Sequence, residues 1–373
     1  MATKNNKVLG IIFPNMHDEA IPELTRIRTM ASVPFGGRYR MIDFALSGLV
    51  AAGVENICVV PRTSYVSLMD HVGSGKEWDL ARKRGGLKIF PPYGEAGTKA
   101  TQGRQGALEA IADYIESTPC EHVILADCGI AHAVDYADVV EKHVESGADI
   151  TMVYKKELLD ETAKTDNVVL DVRNGKVCEM LINDVTEKIC NCGMWVYVFK
   201  KELLVKAIHE CEAKGLSEFE RDVIQRNVGT LEIRGYEYTG YSRRITNLKS
   251  FFEANLDLIN KESLAGLFKQ YPIYTKVRDD APVRYAIGSS VKNTVAGDGC
   301  FIEGSVEGSV LFRGVKVGKG ATVKNCVLMQ DAIVEDGAVV EKVICDKAVR
   351  ITAGQKLIGT ATHPVYVEKR AKV

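Results

Sequence analysis

The sequence predicts an α/β domain followed by a coil of short parallel β-strands. Two observations predict this fold. Up to about residue 260, apolar runs of strand length alternate with helical stretches. After Pro272 that alternation stops, and aliphatic residues recur in six-residue steps between glycines. A third observation bears on function. The loop after the first strand has none of the glycines that let bare backbone wrap a phosphate.

Lys7 to Phe13 reads as a buried parallel strand ended by Pro14, because it is a short run of aliphatic and β-branched residues. Val54 to Val60 and Glu121 to Ala126 read the same way, and Ala148 to Tyr154 resumes the sheet. Leu108 to Glu116 and Asp135 to Ser146 read as helices between strands. Phe251 to Gln270 reads as one long amphipathic helical stretch leading out of the domain. A doubly wound sheet of this kind places ligands at the carboxyl ends of its strands.

In the second part, Val327, Ile333, Val339, Cys345 and Ile351 step by six. Leu328, Val334 and Val340 run beside them, and Leu311, Val317 and Val323 precede them in a nearby register. No Asn-Gly hairpin turn separates the runs, which favours a triangular coil over a β-sandwich. The expected boundaries are 1–260 for the α/β domain, 261–285 for a linker and 286–373 for the coil.

The chain has 373 residues and a net charge of −1, so charge gives no case for nucleic acid or an anionic membrane as partner. No apolar run approaches the ~20 residues of a membrane span. The ten cysteines sit among core-like residues. The one close pair, Cys190-Asn191-Cys192, suits neither a zinc ribbon nor a redox motif. Reduced structural thiols and a cytoplasmic location are expected.

Longer motifs carry a family resemblance. Val33-Pro34-Phe35-Gly36-Gly37-Arg38-Tyr39-Arg40-Met41-Ile42-Asp43-Phe44 is the first of them, and Gly75-Lys76-Glu77-Trp78-Asp79-Leu80 the second. Val134-Asp135-Tyr136 with Ala148-Asp149-Ile150-Thr151, and Glu253 to Leu258, complete the set. In these the chain resembles the glucose-1-phosphate adenylyltransferase (ADP-glucose pyrophosphorylase) family over nearly its whole length. The resemblance implies a Rossmann-like, GT-A-like nucleotidyltransferase domain and a left-handed parallel β-helix of hexapeptide repeats. It also implies the reaction of ATP with glucose 1-phosphate to give ADP-glucose and pyrophosphate, with Mg²⁺.

The departures from the family pattern fall on charged chemistry. Where active members carry a glycine-rich loop, this chain has Pro14-Asn15-Met16-His17-Asp18-Glu19-Ala20. By the resemblance, the loop glycines fall on Asn15, Met16 and Asp18, the catalytic arginine on Ala20 and a phosphate-binding lysine on Met30. Alanine and methionine cannot stabilise the charge on departing pyrophosphate. Arg26 and Arg28 are the nearby cations that would have to substitute. One Mg²⁺ aspartate falls on Asp127 or Cys128, and the other is replaced by Arg244. Arg244 is then either a fixed charge in the metal's place or a surface arginine. The sugar-phosphate lysine is missing around Asn183, with Lys188 as its nearest substitute, and Gly103 is the survivor of a further substrate loop.

No residue is therefore assigned as catalytic, and no metal or cofactor is expected in this chain. Ala20, Met30, Asp127 and Arg244 are degenerate catalytic positions. Asn15, Met16, Asp18, Gly103, Asp127 and Asn183 line a relic pocket. The pattern resembles the non-catalytic, GlgD-type regulatory branch of the family. It implies a catalytic ADP-glucose pyrophosphorylase subunit as partner, with Mg²⁺ bound there, in a hetero-tetramer answering to a small-molecule effector. The alternative is an active sugar-nucleotidyltransferase with substitute residues. A hexapeptide-repeat acyltransferase is the weaker third reading, because the only histidine after position 272 is His363 in the tail.

Overall fold

The structure is a computed structural model and describes residues 7–92, 103–159, 167–183 and 189–373. Its first part is built on a nine-stranded sheet. The strands are β1 (Val8–Phe13), β2 (Asn56–Val59), β3 (Gly86–Ile89), β4 (His122–Asp127), β5 (Ile150–Glu157), β6 (Val168–Arg173), β7 (Lys176–Ile182), β8 (Cys190–Lys200) and β9 (Ile233–Glu237). Their order across the sheet is β3-β2-β1-β4-β8-β5-β9-β7-β6. The left half is parallel, as the buried aliphatic runs predict. The right half is mixed. β8 runs antiparallel to both β4 and β5, and β6–β7 is an antiparallel hairpin.

Helices cover both faces, and their caps explain their limits. They include α1 (Met41–Ala51), α2 (Gly103–Glu109), α3 (Ala112–Ser117), α4 (Tyr136–Ser146), α5 (Lys201–Lys214), α6 (Leu248–Asp257) and α7 (Lys261–Phe268). Asp135 caps α4 by accepting from the amides of Ala137 and Asp138, and Gly147 ends it at a left-handed φ of 64°. Two expected helices are each broken in two. The stretch around 108–116 divides between α2 and α3 at Ile111, which leaves helical geometry at φ −122° while burying its side chain. The stretch 251–270 divides because Asn260 leaves the helix and caps the next one, its Oδ1 accepting from Glu262 N at 2.8 Å.

The C-terminal part is a left-handed parallel β-helix of three five-stranded parallel sheets. Ser305, Thr322 and Val339 stack in register, so these turns take 17 residues each. This corrects the six-residue ladder. The inward line is Leu328, Val334, Val340, Cys345 and Ile351, with five residues rather than six between Val340 and Cys345. Ile333 and Val339 lie on the outer side of the wall, half-buried. Val327 does not face the coil's interior but joins the core of the first domain, as do Val310, Phe312, Met329 and Ile344. One face of the coil is therefore docked on the α/β domain through continuous apolar packing.

Ion pairs reinforce that docking. Arg28 Nη2 donates to Asp346 Oδ2 at 2.6 Å with both side chains buried. Tyr366 Oη donates to the same carboxylate at 3.1 Å. No described helix is long and apolar enough to cross a membrane.

Candidate functional site

The carboxyl ends of β1 and β4 lie side by side, with Phe13 paired to Asp127. Beside them opens a cleft of about 620 Å³ lined by the loop residues Asn15 to Ala20, with Arg62, Trp195 and Thr246. Arg62 is the one cationic side chain among the described lining residues.

The loop is closed on itself. Asp18 Oδ1 accepts from the amide of Met30 at 2.6 Å, and its Oδ2 accepts from Asn15 Nδ2 at 2.6 Å. Asn15 also donates to the Thr63 carbonyl, and its own carbonyl oxygen accepts from Arg62 N. Donors that could have met a phosphate are thus used internally. Burial pushes the Asp18 carboxyl up to about 6, against the hydrogen bonds from Asn15 and Met30 that pull it down. Glu19 stays exposed at the mouth.

Asp127 occupies the seat left open between Asp127 and Cys128, while Cys128 is buried in the core. Both Asp127 oxygens are taken. Arg104 Nη1 donates to Oδ1 at 2.6 Å and Nη2 to Oδ2 at 2.7 Å. His17 Nε2 lies 2.9 Å from Oδ2. Burial would raise this carboxyl, but the Arg104 charge and the His17 and Arg104 hydrogen bonds hold it below the ordinary aspartate value. Such a carboxylate only accepts, so His17 Nε2 carries the proton. Arg104 also donates from Nε to Glu220 Oε1 at 2.8 Å. Its guanidinium carbon lies 4.7 Å from the ring centre of Phe13 and 5.3 Å from that of Tyr197. Burial works against its charge, yet Asp127 and Glu220 hold its proton well above the ordinary arginine value.

Trp195 seals this cluster. Its ring stacks on His17 at 3.7 Å, and the Arg244 guanidinium lies 4.2 Å over its other side. The backbone of Trp195 is left-handed, φ 55°, at an irregularity in the β8–β5 pairing between Gly193 and Tyr197. A bulky residue in that region is strained, and such strain concentrates at functional positions. Arg244 donates to Glu157 Oε1 from Nε and Nη2, and to the Gly193 carbonyl at 2.6 Å. It is neither a surface arginine nor the cation on Asp127. That cation is Arg104.

These residues do not fit a divalent metal. The carboxylate that would bind it is neutralised by a bidentate guanidinium, and an arginine stands at the second position. Among the described residues no group of three His, Cys, Asp or Glu could hold a metal ion.

The other sequence-predicted positions scatter. Ala20 and Met16 line the cleft, half-buried. Met30 does not line it, because its side chain is buried in the core. Gly103 begins α2 at φ 71°, one residue before Arg104. Asn183 sits at the mouth of the β6–β7 hairpin, where its Oδ1 accepts from Asn167 N. Lys188 lies outside the described residues. Arg26 and Arg28 turn to the coil, to Glu368 and Asp346, rather than to the cleft. Sequence reasoning missed Arg104, His17 and Trp195. The available signal was size and charge: an arginine and a tryptophan stand among small and aliphatic neighbours.

A second pocket, about 160 Å³, lies between the domains. Arg38, Arg40, Lys276, Arg278, Arg313 and Lys347 line it. Burial, with Arg40 and Arg28 close by, pushes Lys347 down to about 7. Arg313 is buried with Nε and Nη2 lacking hydrogen-bond partners. Concentrated, partly desolvated positive charge is the electrostatic form of an anion site.

Comparison with known proteins agrees with the fold. A nucleotidyl transferase family model matches residues 21–261, and a GlmU-like, C-terminal hexapeptide model matches residues 280–363. The glycogen biosynthesis protein GlgD of Bacillus subtilis (strain 168) is 32% identical over 372 residues, 98% of this chain and 96% of that protein. The glucose-1-phosphate adenylyltransferase of Clostridium perfringens (strain 13 / Type A) is 30% identical over 338 residues, 88% of this chain and 85% of that protein. The chain belongs to the glucose-1-phosphate adenylyltransferase family. GlgD of Geobacillus stearothermophilus, 35% identical over 321 residues (86% of this chain, 83% of that protein), is a further relative in it. The family resemblance read from the motifs, including its likeness to GlgD proteins, is borne out.

Proposed function

We propose that this chain is a regulatory, catalytically degenerate subunit of ADP-glucose pyrophosphorylase in bacterial glycogen biosynthesis. The observation that carries this reading is the closed cleft. Asp127 is consumed by Arg104 and His17, and Trp195 lies stacked over them. The names of the GlgD and adenylyltransferase relatives support the pathway. The partner is a catalytic homologue that supplies the Mg²⁺ chemistry, in a hetero-tetramer. The basic pocket between the domains suits an anionic effector. An anion held there would favour one packing of the coil on the α/β domain, which is how binding can reach a subunit interface.

A thermal-shift series tests this reading. ATP should protect the chain no better with Mg²⁺ than without it, because stabilisation follows RT ln(1 + [L]/Kd) and no metal-assisted site exists. Inorganic phosphate should protect at the basic pocket, and more at pH 6 than at pH 8.5. The sign follows from Lys347, which is charged below about 7 and loses its proton above it. A large Mg²⁺-dependent rise in Tm at sub-millimolar ATP would contradict the degenerate cleft. Phosphate protection that is absent, or that grows with pH, would contradict the effector pocket.

A further inference from the structure

The donor set around Arg104 is unusual for an arginine. Its guanidinium is buried and held by two carboxylates, Asp127 and Glu220, with His17 Nε2 on the same Asp127 oxygen. Two hard oxygen donors and an imidazole nitrogen are the ligand types of a divalent cation such as Mn²⁺ or Mg²⁺. An arginine that merely filled space would be better replaced by an apolar side chain. Two buried carboxylates facing each other need a cation, because their mutual repulsion in a dry interior is large. Arg104 meets that need from within the chain, and its carbon stem packs against Phe13, Tyr197 and Phe219.

We infer that Arg104 is a resident cation standing where a divalent metal would otherwise sit, between Asp127 and Glu220. The cleft is metal-independent as built, and it becomes metal-binding when the guanidinium is removed. This rests on the closed-cleft reading and deepens it. The loss of metal is then an exchange of one cation for another that keeps the carboxylates paired and the cleft folded.

The test uses the full chain and Mn²⁺ alone, read by Tm and by the electron paramagnetic resonance signal of free Mn²⁺. The wild type should show no Mn²⁺ response at 1 mM, about the level at which a weak site would show. Arg104→Ala and Arg104→Met should lower Tm and bind Mn²⁺ at least about tenfold more tightly than the wild type, recovering part of the loss. Arg104→Met keeps the packing against the aromatic rings without the charge. Adding Asp127→Asn to either variant should abolish the response. Arg104→Lys keeps a cation and should stay blind to Mn²⁺. If neither neutral variant folds alone, refolding yield in Mn²⁺ becomes the readout. No gain there, no response in a folded variant, or binding by the wild type itself would each overturn the inference. A neutral variant blind to Mn²⁺ beside a wild type also blind leaves the regulatory reading standing, so the two failures are distinguishable.

Discussion

Synthesis of ADP-glucose by the isolated chain is expected to run at least about 10⁴-fold below a catalytic relative. Losing one strong electrostatic contact to the transition state costs about 10²–10³ in rate. Several are missing at once. Ala20 and Met30 provide no positive charge, and the Met30 side chain is not in the cleft. The Asp127 carboxylate is neutralised, and Asp18 places a carboxyl where phosphates would approach. Ala20→Arg alone is expected to restore nothing measurable, because it leaves Arg104 on Asp127 and Trp195 in place. A pyrophosphate-release assay decides this. Turnover within about tenfold of a catalytic subunit would defeat the account of the cleft.

Asp346→Ala is expected to destabilise the chain by about 3–5 kcal/mol, the usual cost of leaving a buried charge without its partner. Arg28 would keep its guanidinium in the interior with no counter-charge, and Tyr366 would lose an acceptor. Both residues bridge the α/β domain and the coil. Replacing the pair together, Arg28→Met with Asp346→Leu, should cost much less, since neither charge is then stranded. Urea unfolding of the three variants measures this. A cost below about 1 kcal/mol for Asp346→Ala would show that water or another residue relieves Arg28.

The architecture was legible wherever one residue pattern admits one structure. The run from Val8 to Phe13 can be little else than a buried strand, and the glycine-punctuated aliphatic steps after Pro272 can be little else than a parallel coil. Strand direction was not legible. β8 is as apolar as its parallel neighbours, and only the connections make it antiparallel. The coil's period was read one residue too long per turn, because the short side at Val340 to Cys345 shows only once strands are stacked. The negative half of the site was legible from Ala20 and Met30. Its positive half was not. Arg104 is 23 residues from Asp127 and on a different element, and the stack of His17, Trp195 and Arg244 joins three distant segments. The left-handed backbone of Trp195 has no signature in a sequence where tryptophan stands rather than glycine.

The central claim is that this chain regulates a catalytic homologue rather than making ADP-glucose itself. Its most direct test is the forward rate of ADP-glucose synthesis by this chain alone, by a catalytic subunit from the same cell alone, and by the two co-expressed and sized together. The account predicts negligible turnover alone, a mixed oligomer on sizing, and a mixture whose turnover or apparent substrate affinity differs from that of the catalytic subunit alone. A chain that turns over at a normal rate by itself, or that runs apart from its partner and leaves the partner's kinetics unchanged, would contradict it.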